Sequence, residues 1–241
     1  MYLAQHTSEE FKNLREKVNT ALIPIGSTEA HGNHLPLGTD IFSPRVFCEF
    51  IEKSIGDKLW IAPEIPYGQS YDLSIYAGTI HIPAEIMSDY VFFVGKSLFD
   101  NRIKKLIFLN GHGGNINSLN LAAERLMQLG MDVIIINWWL DFSKEILTIT
   151  EGQGHGGEDE TSVILFYDEK LVHMEKALKN EKKPLMRVFF KDRGKTLFEN
   201  AISGDATLAN KEKGEKIFKL VAEKIIDTVT NFQNGRYFEE I

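Results

Sequence analysis

Short apolar runs recur along this chain. Four of them cover residues 21–25, 59–62, 105–109 and 132–137, and Gly26 closes the first. Runs of this length, rich in Ile, Leu and Val, are typical of strands that are buried on both faces of a sheet. The pattern therefore predicts four interior strands.

Between and after these runs, apolar residues return at helical spacing. The predicted helices cover residues 43–54, 83–100, 117–129 and 211–232. Ser43 and Pro44 suit the N-cap and the first position of the first helix, and Gly130 suits the position just past the third. Because strands alternate with helices, we expect a mostly parallel central sheet between two layers of helices, the three-layer α/β/α class.

The composition is that of a globular protein. The chain has 241 residues, of which 43% are hydrophobic and 25% are charged. A chain of this length buries a large core without help from disulfides or structural metals. No repeat, low-complexity stretch or Pro/Gly/Ser-rich linker divides it, so we expect a single domain over residues 1–241.

The balance of charge narrows the choice of partners. There are 27 Lys and Arg residues against 34 Asp and Glu residues, which gives a net charge of -7. Nucleic-acid binding needs a positive face that replaces phosphate counterions, so we expect no nucleic-acid partner. Basic residues do cluster at 182–183 and 191–195, and we interpret both clusters as solvated surface.

The single cysteine, Cys48, excludes an intramolecular disulfide and favours a reducing compartment. It lies beside Phe47 on a predicted helix, so a core residue is a better interpretation than a nucleophile. The N-terminus has no basic segment followed by an apolar stretch, and no run approaches the ~18 apolar residues of a membrane span. We therefore expect a cytoplasmic protein without a membrane partner.

Histidines carry the clearest functional signal. Four of the seven lie in three glycine-rich loops: His31 and His34 in 29–40, His112 in 110–115, and His155 in 155–162. The first two loops follow predicted strands, and in an open parallel sheet such loops gather at the carboxyl edge, where ligands bind. We therefore expect these distant loops to converge.

The acidic and imidazole side chains of the loops suit a metal centre. Glu29 and His31 are two residues apart, so in an extended segment both point to one face. Imidazole nitrogen and carboxylate oxygen bind Zn, Mn or Fe in hydrolytic sites, and two such ions roughly 3.5–4 Å apart can share a carboxylate. The candidate metal ligands are Glu29, His31, Asp40, His112 and Glu158.

Simpler interpretations exist for each of these residues taken singly. A histidine beside a glycine is often a hydrogen-bonding turn residue, and the acids at 158–160 suit the first turn of a following helix. Convergence of three such loops serves no purpose in core packing, which favours the metal centre. Trp138 and Trp139 follow the fourth strand and belong either to the core or to a wall of the pocket; we prefer the pocket.

The three loops together resemble the creatininase (creatinine amidohydrolase) family. Shorter matches at 67–70, 78–80 and 204–209 extend the resemblance over about residues 20–220. It implies an α/β/α fold, two divalent metal ions per subunit, with zinc favoured over manganese or iron, and hydrolysis of a non-peptide carbon–nitrogen bond. The small-molecule substrate would be a cyclic amide or a formamide, and the protein would be a homo-oligomer, with a hexamer expected.

The same resemblance implies roles for single residues. By motif match, Glu29 and His112 would bind one metal, His31 would bind the other, and Asp40 would bridge them. His155 would transfer a proton to the leaving nitrogen. We assign Glu160 to orienting His155 or a metal ligand.

The chain departs from the family pattern where creatininase has a metal-binding Glu, two residues after the histidine of the second loop. Gly114 stands there. Creatininase has an apolar residue where this chain has Glu158, so we expect Glu158 to supply the missing ligand. Gly113 stands where creatininase has an aromatic residue, so a fit to creatinine is not assumed.

Other functions stay open. The family includes a formamide deformylase that acts on a pyrimidine ribotide and a peptidase that trims a redox-cofactor precursor. A catalytically silent metal-binding protein of the same fold is another alternative. Phosphoester hydrolysis is less favoured, because the three loops contain no Lys or Arg to meet a phosphate. No Walker loop or Gly-x-Ser-x-Gly elbow occurs either.

Overall fold

A computed structural model describes residues 1–186 and 188–238 of the chain. Its helices are α1 (Ser8–Leu14), α2 (Thr39–Ile55), α3 (Ala84–Asp100), α4 (Ile116–Gln128), α5 (Trp138–Asp141), α6 (Ser143–Ile146), α7 (Glu158–Asp168), α8 (Arg193–Leu197) and α9 (Lys211–Gln233). Its strands are β1 (Thr20–Ile25), β2 (Trp60–Ile61), β3 (Lys105–Asn110), β4 (Asp132–Asn137), β5 (Lys179–Asn180) and β6 (Gly204–Asp205).

Four parallel strands form the central sheet in the order β2-β1-β3-β4. The register pairs Ala21 of β1 with Trp60 of β2 on one side and with Leu106 of β3 on the other. All four predicted strands are therefore present, although β2 is shorter than the predicted run. The strands β5 and β6 form a separate antiparallel pair.

Side chains alternate between the two faces of the sheet, as the period of a strand requires. Leu22 and Ile107 pack on one face against α2, α7 and α9. Ile23 and Leu106 pack on the other face against α3 and α4. Buried side chains thus fill the space between the sheet and the helices on each of its faces. The predicted three-layer α/β/α fold is confirmed.

The start of α2 differs from the prediction and matters for the site. The helix begins at Thr39, so Pro44 lies inside it and has no N–H to donate to the carbonyl of Asp40. That carbonyl packs at the ends of β1 and β3, where a Cβ on Gly26 or Gly111 would lie 2.3 or 2.2 Å from it. The two glycines thus let the first turn of α2 pass over the strand ends and bring Asp40 to the edge of the sheet.

Cys48 is buried in the core that α2 shares with α9, which confirms its interpretation as a core residue. Among the helices of the described residues, none has both the length and the apolarity that crossing a bilayer requires.

Candidate metal centre

The three histidine loops converge, as predicted. The first follows β1 and the second follows β3, which are neighbours in the sheet, and the third leads into α7. The side chains that meet are those of Glu29, His31, Asp40, His112, His155 and Glu160. All of them are buried except His155, which is partly buried.

Each of the three imidazoles is held by a main-chain carbonyl. The carbonyl oxygens are those of Glu29 (3.1 Å from His31 Nδ1), Gln69 (2.9 Å from His112 Nε2) and Ala30 (2.8 Å from His155 Nε2). A carbonyl only accepts, so the facing ring nitrogen donates its proton. The other nitrogen of each ring is thereby turned towards the carboxylates, which is how ligand histidines are usually oriented.

Asp40 lies at the centre of the cluster. Its Oδ1 is 2.9 Å from Nε2 of His31, and its Oδ2 is 2.9 Å from Nδ1 of His112. The two oxygens of one carboxylate therefore face two different imidazoles.

Glu29 and Asp40 carry polar atoms that the protein itself does not satisfy. Both carboxylate oxygens of Glu29, and Oδ2 of Asp40, are buried without a hydrogen-bond partner among the described residues. The nearest group, Nδ1 of His112, is 3.2 Å from Oε1 of Glu29. In its neutral form, the form that binds a metal, His112 donates its one N–H to Gln69, so Nδ1 and these oxygens all present lone pairs unless a metal ion or a second proton on the ring lies between them. Such an arrangement is costly when buried and fits a cation at this point.

Glu160 adds a third carboxylate from the first turn of α7. Its Oε2 is 3.6 Å from Nε2 of His31 and accepts the N–H of Gly156 at 2.7 Å. The ligand atoms form three overlapping groups that each span less than 4.8 Å: Glu29, Asp40 and His112; His31, Asp40 and Glu160; and Glu29, His31 and His155.

The carboxylates decide how two of the histidines titrate. Burial alone would lower the pKa of His31, but Asp40, Glu160 and Glu29 overcome it and raise that pKa to about 10. Burial also opposes the charged form of His112, and its acidic neighbours still hold its pKa well above the usual value. Both imidazoles are therefore protonated at neutral pH, and a bound metal cation would take the place of those protons.

His155 behaves in the opposite way. Burial, followed by the charge on His31, lowers the pKa of His155 to about 4. Its ring packs on that of His31 with a centroid distance of 4.0 Å. His155 is therefore neutral at pH 7, and its Nδ1, 3.5 Å from Oε1 of Glu29, holds a lone pair.

A cavity of about 450 Å³ opens above the cluster. Trp139, Phe189 and Phe198 contribute aromatic walls. Arg193 also lines the cavity, and its guanidinium forms a two-pronged ion pair with Asp72. Aromatic walls beside a polar floor are typical of small-molecule sites.

The chain matches a known protein family over most of its length. The family model described as creatinine amidohydrolase matches residues 4–229 of the chain. This chain belongs to the creatininase family.

Relatives in the family have more than one reported activity. The mycofactocin precursor peptide peptidase of Mycobacterium tuberculosis is 31% identical, over 88% of this chain and 84% of its own. The creatinine amidohydrolase of Pseudomonas putida is 26% identical, over 86% of this chain and 87% of its own. These family members are hydrolases.

Solved creatininase structures share the fold. A manganese form superimposes with a TM-score of 0.81 at 23% identity, covering 95% of this chain and 96% of that one. A mutant described as Zn–Zn type gives 0.80 at 23% identity, over the same shares of the two chains. Those creatininase structures carry Mn or Zn. The present chain shares their fold and has candidate metal-binding residues of its own.

The structure does not bring Glu158 to the cluster, which corrects the expectation that it supplies a ligand. Its carboxylate accepts the N–H groups of Glu151 and Gly152 at 2.8 and 3.2 Å and pairs with Nζ of Lys213 at 2.5 Å. The carboxylate that reaches the cluster from α7 is that of Glu160. At Gly114, a Cβ would lie 2.0 Å from the carbonyl oxygen of Gln69, so this backbone leaves no room for the side chain that creatininase has there.

The two tryptophans after β4 lie in different places. Trp138 is buried in the core, whereas Trp139 lines the cavity, so the preference for the pocket is correct for Trp139 and wrong for Trp138. Nε2 of His34 and Oγ1 of Thr161 share a hydrogen bond of 2.9 Å, which ties the first loop to α7.

Arg193 belongs to the basic cluster at 191–195, and the interpretation of that cluster as solvated surface is wrong for Arg193, which pairs with Asp72 and lines the cavity. Sequence patterns did not indicate Phe198, which comes from a segment without a recognisable motif.

Proposed function

We propose that this creatininase-family protein is a metal-dependent amidohydrolase with a dinuclear centre, and that it hydrolyses a non-peptide carbon–nitrogen bond in a cyclic amide or formamide. The observation that carries the proposal is the position of Asp40, whose two oxygens face His31 and His112 separately. A single carboxylate between two sets of ligands is the arrangement that bridges a pair of cations.

One divalent ion would be held by Glu29, Asp40 and His112, and the other by His31, Asp40 and Glu160. The buried oxygens of Glu29 and Asp40 that lack hydrogen-bond partners support this assignment. Mixed imidazole and carboxylate ligands suit Zn, with Mn or Fe as alternatives.

When bound, such ions lower the pKa of a water molecule and polarise a carbonyl group. The neutral imidazole of His155 is placed to accept a proton from the attacking water at Nδ1 and to pass it to the leaving nitrogen. The carbonyl of Ala30 holds the ring in the required tautomer. Glu160 would contribute an oxygen to the same ion as Nε2 of His31, and the main-chain carbonyl of Glu29 orients that imidazole.

The substrate itself has two candidates. A cyclic amide or formamide follows from the resemblance to creatininase. An amide bond in a peptide precursor is the second, because the mycobacterial relatives are precursor peptide peptidases and a cavity of about 450 Å³ accepts more than a small ring.

The experiment combines metal analysis with a substrate panel. Protein reconstituted with Zn, Mn or Fe would be assayed against creatinine, a formamidopyrimidine ribotide, small cyclic amides and a synthetic precursor peptide. We expect two metal equivalents per chain and hydrolysis of one class of amide, and we expect Asp40→Asn to lose both metals and activity. One equivalent per chain would refute the dinuclear centre, and two equivalents without amide hydrolysis would favour a silent metal-binding protein.

We also propose that the protein assembles as a homo-oligomer, for which the family resemblance suggests a hexamer, and that it works in the cytoplasm. The lone buried Cys48 supports a reducing compartment.

A further inference from the structure

Two exposed apolar surfaces flank the cavity of the metal centre. The first, named here the α3 stripe, consists of Ile86, Tyr90 and Phe93, which are 56%, 53% and 58% exposed. Their spacing places them on one face of α3. Ala84, at the start of the same helix, lines the cavity.

The second surface, named here the basic loop, covers residues 182–186 and 188–191. It exposes five large apolar side chains, those of Leu185, Met186, Val188, Phe189 and Phe190. Lysines stand at both ends of it, at 182–183 and at 191. Phe189 lines the same cavity as Ala84.

The basic loop is anchored beside the site. The guanidinium of Arg193 pairs with both carboxylate oxygens of Asp72 and lies 4.6 Å from the ring centroid of Phe189. Asp72 itself lines the cavity. The exposed apolar side chains therefore extend from an anchored base, and exposed apolar side chains grouped within one short segment mark an interaction surface.

The two surfaces carry charges of opposite sign beside their apolar side chains. Glu85 and Asp89 lie on the exposed side of α3 beside the stripe, and Asp89 also pairs with Arg125. Lys183 and Lys191 flank the apolar side chains of the basic loop and have no ion pair among the described residues. An acidic and apolar surface on one copy thus matches a basic and apolar surface on another.

We propose that the partner is a second copy of this chain, with the basic loop of each copy docked on the α3 stripe of the other in a two-fold dimer. Because both surfaces adjoin one cavity, a two-fold axis would place each loop at the mouth of the partner's site. The inference rests on the homo-oligomer put forward with the proposed function and locates its contact; a hexamer would need a second surface. The net charge of -7 disfavours an anionic membrane as the partner of the loop.

The first test is the oligomeric state, measured by light scattering and sedimentation on the full chain. We expect the wild type to self-associate and expect Tyr90→Glu and Phe190→Glu each to weaken the dimer at least tenfold. The matched control is Met127→Glu, because Met127 is an apolar residue on α4, 62% exposed, that lies outside both surfaces. Charge reversal is a second test of the same contact. Glu85→Lys and Lys191→Glu should each weaken the dimer, and the double variant should recover part of the lost dimer affinity.

Cross-linking reports the contact directly. Cys48 is buried, so a variant that carries Tyr90→Cys and Phe190→Cys introduces the accessible thiols of the chain. Under mild oxidation we expect a disulfide-linked dimer, and the control with Met127→Cys should stay monomeric on a non-reducing gel.

Several results would overturn the proposal. These are a wild type that remains monomeric, a dimer that Met127→Glu dissociates while Tyr90→Glu does not, and binding of the wild type to phosphatidylserine vesicles that Phe190→Glu abolishes. The last would identify a membrane surface as the partner. None of these readouts uses catalysis, so they are separable from the metal content and amide hydrolysis that test the proposed function.

Discussion

Lys213, which is partly exposed, and the buried Glu158 form an ion pair that joins α9 to the first turn of α7, with 2.5 Å between Nζ and Oε1. The pair fixes the start of α7 and thereby the position from which Glu160 reaches the cluster. An acid that sequence patterns suggest as a metal ligand therefore stabilises the fold instead.

We predict that Glu158→Gln destabilises the protein and leaves its metal affinity intact. The substitution leaves the charge of Lys213 without its partner. In a fully buried pair this lowers the free energy of unfolding by about 3–5 kcal/mol. We expect about 2 kcal/mol here, because Lys213 is partly exposed. Denaturant unfolding and metal titration measure the two effects.

The matched variant is Glu160→Gln, which should weaken metal binding at least tenfold with a smaller effect on unfolding. If Glu158→Gln lowers the metal affinity as much as Glu160→Gln does, Glu158 contributes to the centre after all.

A second prediction concerns His155. His155→Gln should retain the metal content of the wild type and lose turnover by about 10²–10⁴-fold, the usual contribution of a positioned acid–base group. Elemental analysis and steady-state kinetics provide the measurements. His173→Gln, at an exposed histidine outside the site, is the control. Loss of metal from His155→Gln would reassign His155 as a ligand.

The third prediction links metal binding to pH. His31 has a pKa of about 10 and His112 a pKa well above the usual value, so both are protonated at pH 7 and must lose a proton to bind a metal. Binding should therefore release protons, and the apparent affinity should rise as pH rises from 6 to about 9, by about tenfold per pH unit for each proton released. His155, with a pKa near 4, contributes no proton.

Calorimetric titration of chelator-treated protein in two buffers of different ionisation enthalpy counts the protons. Identical heats in the two buffers would contradict the proposed protonation of His31 and His112.

A fourth prediction compares two neighbouring glycines. Gly114→Ala would put a Cβ 2.0 Å from the carbonyl oxygen of Gln69, which also holds His112, so we expect about 1–3 kcal/mol of lost stability and weaker metal binding. Gly113→Ala meets its nearest atom, on Trp139, at 3.7 Å. That variant should stay within about 0.5 kcal/mol of the wild type. Equal effects of the two substitutions would show that the main chain around Gln69 moves freely.

The sequence by itself determined the layers and the place of the site. Apolar runs and helical spacing located β1, β3, β4 and the long helices, because these patterns reflect burial along a single element. The histidine loops could be assigned to one edge of the sheet, because the carboxyl ends of parallel strands meet there.

The tertiary structure alone decided which acid of α7 serves the centre. Glu158 and Glu160 are two residues apart, about 200° around the helix axis, so they point in nearly opposite directions. Both are buried, and only the packing of α7 against α9 turns Glu158 to Lys213 and leaves Glu160 at His31. Arg193 and Phe198 reach the cavity for the same kind of reason, since contacts between segments far apart in sequence leave no periodic pattern along the chain.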